Sequence, residues 1–99
     1  MHIILDDRRP FPDENRYNCY RRYEDCVEVI RIFRHISFIS LDYDLGGEKT
    51  GLDVLEYMAT CGCEVKHINI HSDHSVGVPL MREFVDKHFP DARLTTNAL

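Results

Sequence analysis

Two acidic pairs, each closing an apolar run, are the residues of this chain best suited to chemistry. Ile3-Ile4-Leu5 leads into Asp6-Asp7, and Phe38-Ile39-Ser40-Leu41 leads into Asp42-Tyr43-Asp44. As parallel strands of one sheet, the two runs would end side by side at the carboxyl edge where open α/β sheets bind ligands. Four carboxylates gathered there repel one another unless they share protons or surround a cation. An all-oxygen site suits a hard divalent ion, Mg²⁺ or Mn²⁺. Asp6, Asp7 and Asp42 are the expected ligands, with Asp44 as a further ligand or as the base that aligns a water.

A third polar segment, His71-Ser72-Asp73-His74-Ser75, follows Ile68-Asn69-Ile70. If it lies at the same edge, His71 can exchange protons near neutral pH, Ser72 can donate to a phosphoryl oxygen, and His74 adds a second imidazole for phosphate binding. Backbone N–H groups entering the next helix would add affinity for anions. Arg8, Arg9, Arg16, Arg21 and Arg22 form a cluster able to clamp a phosphate, with Arg9 holding non-bridging oxygens; the plain alternative is a solvated surface with salt bridges.

The elements that must position these groups follow from apolar periods. Residues 2 to 5 form a buried strand, Pro10 and Pro12 mark a loop, and Tyr17 to Tyr20 form a short second strand. Tyr23, Cys26, Val27, Ile30 and Phe33 recur at helical spacing. Phe38 to Leu41 is the next strand, and a helix starting near Thr50 turns Val54, Leu55 and Met58 inward, with Gly62 as its stop. Val65 to Ile70 is a further strand. A last helix carries Leu80, Met81, Phe84, Val85 and His88 on one face and ends at Pro90, and Ala92 to Thr95 forms a final edge strand. Strands alternating with helices call for an α/β fold: a three-layer sandwich with a parallel sheet of four or five strands in the flavodoxin-like order 2-1-3-4(-5).

Composition sets the bounds. The chain has 99 residues, 43% apolar and 29% charged, which is one globular domain spanning 1–99 and no disordered tract. No apolar run reaches the length of a membrane helix and the first residues lack the form of a secretory signal, so a cytoplasmic protein is expected. In that setting Cys19, Cys26, Cys61 and Cys63 are expected as small apolar residues rather than a disulfide framework. Net charge is −5, with seven Arg against seven acidic residues in positions 1–35 and five basic against ten acidic residues beyond, which argues against duplex-DNA binding. Composition leaves oligomeric state open.

Taken in order, LDDRRP, SLDYDLGGEKTGLDVL and IHSDHSVG followed by Met81 resemble the cyclic-phosphate-processing receiver-like domains. Their pattern is roughly LDD-x-R-x-x-P, SLD-H-DLG with a later Gly and Asp-Val-Leu, and IHS-x-N-x-x-G with a following Met. The resemblance runs from Ile3 to about Met81. It implies a receiver-like Rossmannoid fold with an acidic metal pocket that processes cyclic phosphates on RNA ends or nucleotides. The matching positions are Asp6, Asp7, Arg9, Asp42, Asp44, Gly46, His71 and Ser72; the chain departs at Tyr43, where the pattern has His, and at His74, where it has Asn.

The leading expectation is therefore a metal-dependent phosphoesterase with Asp42, Asp44, His71 and Ser72 as catalytic residues and a phosphorylated nucleotide or RNA terminus as its partner. The rival is a non-catalytic module that binds nucleotide, phosphate or protein. A phosphoacceptor receiver is more distantly similar, but the stretch from Asp91 to Leu99 holds no Lys to grip an aspartyl phosphate. Asn69-Ile70-His71-Ser72-Asp73-His74 approaches a zinc signature of metallo-β-lactamase-like hydrolases, a fold that needs about twice this length. Cys61-Gly62-Cys63 with His67 lacks a matching distant pair of zinc ligands.

Overall fold

The computed structural model describes residues 1–13 and 15–97. In chain order the elements are β1 (His2–Leu5), β2 (Asn18–Tyr20), α1 (Tyr23–Phe33), β3 (His35–Ile36), β4 (Phe38–Leu41), α2 (Gly51–Thr60), β5 (Glu64–Val65), β6 (His67–Ile70), α3 (Gly77–His88) and β7 (Arg93–Thr96). The main sheet is parallel throughout, in the order β2-β1-β4-β6-β7. Counting only its five strands, this is the receiver-like order expected from the sequence.

Alternation along each strand divides the sheet into two unlike faces. Ile3, Leu5, Ile39, Leu41, Ile68 and Ile70 are fully buried on one face. They pack with Cys26 and Ile30 of α1, Val54, Leu55 and Met58 of α2, and Met81 and Val85 of α3. Each such aliphatic side chain contributes about 1.5–3 kcal/mol relative to exposure. The opposite face carries Ile4, Ser40, Asn69 and Thr95, and none of these belongs to that core.

Handedness explains the asymmetry. From β2 onward the chain always steps toward the β7 edge, so right-handed crossovers place α1, α2 and α3 on a single face. Only the β1–β2 connection steps the other way, and it must cross the second face. That connection contains Pro10 and Pro12, which suit an extended path. The third layer is accordingly the segment Pro10-Phe11-Pro12, which shares a hollow with Ile4 and His71, rather than a helix.

Three local expectations differ. The stretch from Val65 to Ile70 is split at Lys66, whose N–H donates to the Ile36 carbonyl and whose carbonyl accepts from Arg93. Its first part, β5, pairs with β3 in a separate two-stranded sheet. Phe33 and Leu80, both expected inward, are 54% and 42% exposed. Phe33 is the last residue of α1, past Cys26 and Ile30, the residues which that helix buries. Leu80 lies about 100° around α3 from Met81, at the margin of the buried stripe. Gly77, Met81 and Val85 form that stripe.

Candidate metal and phosphate site

The second face of the sheet delivers the site. Two residues on from Ile4, Ser40 and Asn69, the same side of the three central strands presents Asp6, Asp42 and His71. Ladder bonds continue one residue past each strand, with the Asp6 N–H donating to the Tyr20 carbonyl, Asp42 to Leu5 and His71 to Leu41. The three side chains are thereby held in one row. Each offers a ligand atom lying within 4.8 Å of the others.

Asp6 is 2% exposed. Its Oδ1 accepts the N–H groups of Arg8 and Arg9, both at 2.9 Å, and its Oδ2 lies 3.0 Å from His71 Nε2. Burial works to raise the Asp6 pKa, but these donors outweigh it and hold the carboxyl below its ordinary range. Asp42 moves the other way, because burial and the charge of Asp6 outweigh the help from His71 and Ser72. Two carboxylates shifted in opposite directions behave as a pair that cannot hold two charges comfortably without a cation.

His71 stands on a chain of polar groups that crosses the sheet. Thr95 Oγ1 donates to Asn69 Oδ1 at 2.8 Å, Asn69 Nδ2 donates to Ser40 Oγ at 2.9 Å, and Ser40 Oγ meets His71 Nδ1. Since Ser40 accepts from Asn69, its own proton is available to His71 Nδ1. The imidazole is then neutral with its proton on Nε2, directed at Asp6. Burial, outweighing the charges of Asp6 and Asp42, keeps the His71 pKa below its ordinary value, which agrees with a neutral ring.

Without a bound metal, the fold should lose stability on mild acidification. An imidazole with a lowered folded pKa loses stability as pH falls below its unfolded value of about 6.5, because only the unfolded chain then takes the proton. Burial and the charge of Arg93 lower His67 in the same sense. Asp6 adds a further loss below about 3.9, while Asp42, whose folded pKa is raised, works the other way above that value by taking its proton before the unfolded chain does. Urea midpoints should therefore drop between pH 7 and pH 5, and the slope should flatten in His71→Gln. An unchanged slope in that variant would contradict the assignment.

Asp44, Ser72, Asp73, His74, Arg8 and Arg9 complete the walls of a cavity of about 230 Å³ over Asp6 and Asp42. Asp44 Oδ1 accepts from the Gly46 N–H at 2.9 Å. Ser72 is 5% exposed; it hydrogen-bonds Asp42 and accepts the His74 N–H. Arg9 hangs over the cavity, with Nε 4.0 Å from Asp6 and a terminal nitrogen 3.5 Å from Asp73. Asp7 lies outside the three-residue cluster. One of its oxygens approaches Arg8 Nε at 3.8 Å and lies 3.0 Å from where a Cβ on Gly46 would stand, while Oδ1 is buried without a hydrogen-bond partner among the described residues. A buried carboxylate oxygen with no donor is costly, and a cation would satisfy it. The donor set therefore fits a divalent ion.

The arginine cluster divides. Arg21 donates to the carbonyls of Asp6 and Arg9 and stacks over Phe11, so it braces the loop after β1. Arg22 pairs with Glu24, and Arg16 stands at the opposite end of the sheet beside Phe38 and His67. Only Arg8 and Arg9 of this cluster line the cavity. At the start of α3 the Gly77 N–H is taken by His74 Nδ1 and the Val78 N–H by the His74 carbonyl, so His74 caps the helix and occupies the donors expected for an anion. Its ring lies 4.5 Å from that of Tyr43, so the two departures from the family pattern touch each other.

The zinc alternatives gain no support from this geometry: among the described residues the metal-competent cluster is Asp6, Asp42 and His71, without any cysteine. Burial pushes the thiols of Cys26 and Cys63 up to about 12 and about 11, which suits inert apolar packing. No helix among the described residues is long and apolar enough to cross a membrane. Ser40 and Asn69, which orient His71, escaped the sequence reading. Their signal was a small polar residue two positions before Asp42 and His71 in otherwise apolar strands.

Neither the comparison with curated proteins nor that with solved structures returns a match. The family model described as the Cyclic-phosphate processing Receiver domain matches residues 1–87. With that match over most of its length, a receiver-like parallel sheet and an acidic row at the carboxyl edge, the chain belongs to the cyclic-phosphate processing Receiver domain family.

Proposed function

We propose that this chain is a single-domain, metal-dependent phosphoesterase that opens a cyclic phosphate on an RNA end or nucleotide in the cytoplasm. The observation that carries this reading is the convergence of Asp6, Asp42 and His71 within 4.8 Å at the sheet edge. Mg²⁺ or Mn²⁺ held by Asp6 and Asp42, with Asp7 close by, would supply the charge that polarises a phosphoryl oxygen and acidifies a water. Asp44, across the same cavity, accepts the proton of the attacking water. Arg9 and Ser72 hold the non-bridging oxygens, with His74 at the rim.

The new bond joins the water oxygen to phosphorus, and one P–O bond of the strained ring breaks. His71 Nε2–H supplies the proton for the departing ribose oxygen, and Ser40 at Nδ1 keeps that proton on the cavity side. At rest this N–H is engaged by Asp6, so donation requires Asp6 to exchange His71 for another partner.

A binding module is the second reading, favoured by that same engagement: His71 uses both ring nitrogens and Ser72 is already committed to Asp42 and His74. An aspartyl-phosphate receiver fits less well, because no lysine lines the cavity among the described residues. RNA ending in a 2′,3′-cyclic phosphate, incubated with Mg²⁺ or Mn²⁺ and separately with EDTA, decides between them. Metal-dependent formation of the monoester is the expected result. Saturable binding without conversion would favour the module, and absence of both would overturn the phosphate-site reading.

A further inference from the structure

The helix-free face of the sheet carries a second constellation, at the end away from the acids. His2, Phe38 and His67 lie in one register row across β1, β4 and β6, and Arg93 pairs with His67 from β7. Tyr17 flanks them from just before β2. Ring centroids run 6.0 Å from Tyr17 to Phe38, 6.3 Å from His2 to Phe38 and 4.9 Å from Phe38 to His67. Arg16 shares the groove formed by His2, Tyr17, Ser37, Phe38 and His67, and among the described residues no carboxylate lines it. Arg93 is close enough for its charge to act on His67.

Neighbouring rings edged by arginines, without carboxylates among the described residues, match the chemistry of a single-stranded nucleic acid. Aromatic faces take any base by stacking, so such a surface needs no particular sequence, and guanidinium groups meet the phosphates. On a chain of net charge −5 such a locally cationic patch stands out from its surroundings. An apolar protein partner would not call for two arginines at the margins.

The patch also faces the right way. Phe38 and Asp42 are on the same side of β4, four residues apart, a span of about 13 Å along the strand. Stacked nucleotides advance about 3.4 Å each along one strand, so no more than about four of them cover the distance. Between the two ends lies a hollow of about 160 Å³ bounded by Ile4, Phe11, His71 and Asp6.

We propose that this sheet face binds single-stranded RNA, stacking bases on Tyr17, Phe38 and His67 and holding phosphates with Arg16 and Arg93, so that the RNA end enters the acidic cavity. Only the last clause rests on the proposed phosphoesterase reading; the binding surface stands without it.

The test is fluorescence anisotropy with a labelled oligouridine ending in a 3′-hydroxyl, in EDTA and low salt, using the full chain. Wild type should bind saturably, and Phe38→Ala should weaken binding about tenfold or more. Because Phe38 is half-buried, the exposed double variant Arg16→Glu with Arg93→Glu carries the same prediction and leaves the core intact. A thermal melt verifies the fold of each. No binding by wild type, or equal binding by the arginine variant, overturns the proposal, as does sedimentation showing that the face instead joins two copies of the chain. Cyclic-phosphate conversion that persists when the oligonucleotide fails to bind would isolate the failure to this surface.

Discussion

Asp42→Asn should raise the melting temperature of the metal-free protein while abolishing metal-dependent conversion of a cyclic phosphate. The two effects have one cause. Asp42 is half-buried beside the ionised Asp6, and both burial and that charge disfavour its carboxylate. Neutralising it removes the repulsion and leaves an amide able to keep a hydrogen bond with Ser72. A rise in melting temperature is therefore expected in EDTA. The same change removes a proposed cation ligand, and a loss of several kcal/mol of electrostatic stabilisation lowers turnover by about a hundredfold or more. A scaffold residue would lose stability and activity together. Differential scanning fluorimetry with and without Mn²⁺, beside the cyclic-phosphate assay, reads both effects; a variant less stable than wild type in EDTA would contradict the repulsion.

Gly51→Ala should be the most damaging small substitution. A Cβ there would stand 2.2 Å from the Asp42 carbonyl oxygen and 2.8 Å from Met81 Cε. Met81 can shift, but the carbonyl belongs to the backbone that leads from β4 into the site. The first residue of α2 must therefore move away from the strand, at a cost of about 3 kcal/mol and roughly 10 °C or more in melting temperature. Gly47→Ala is the matched control, because nothing lies within 4 Å of its added methyl. Equal melting curves for the two variants would mean that the close approach of α2 to β4 is wrong.

Strand order and the acidic row were legible because they rest on strong, local signals. Apolar runs of the kind in Ile3-Ile4-Leu5 and Phe38 to Leu41 mark buried parallel strands, and chain order with right-handed crossovers leaves few arrangements. Asp6, Asp42 and His71 converge because each follows its strand at the same register. What escaped depends on direction and competition. The β3–β5 pair is built from two-residue strands too short to show a period. The thin third layer follows from the single step toward the β2 edge, a consequence of handedness that periodicity does not carry. Donors at the α3 entrance were expected for an anion, but His74 claims them from within the chain. Asp7 follows the same strand as Asp6, yet it projects from the adjacent position and lies outside the cluster. Arg16 and Arg21 are five residues apart in sequence and serve different ends of the sheet, which no count of arginines distinguishes.

The central physical claim is that carboxylates from two neighbouring strands grip one divalent ion. Isothermal titration calorimetry of the intact chain with Mn²⁺ tests it most directly, with Asp6→Asn and Asp42→Asn measured alongside. One ion per chain should bind to wild type, with heat that disappears in either variant while both remain folded. A wild-type chain that takes up no Mn²⁺ or Mg²⁺, or variants that bind as well as wild type, would contradict the account.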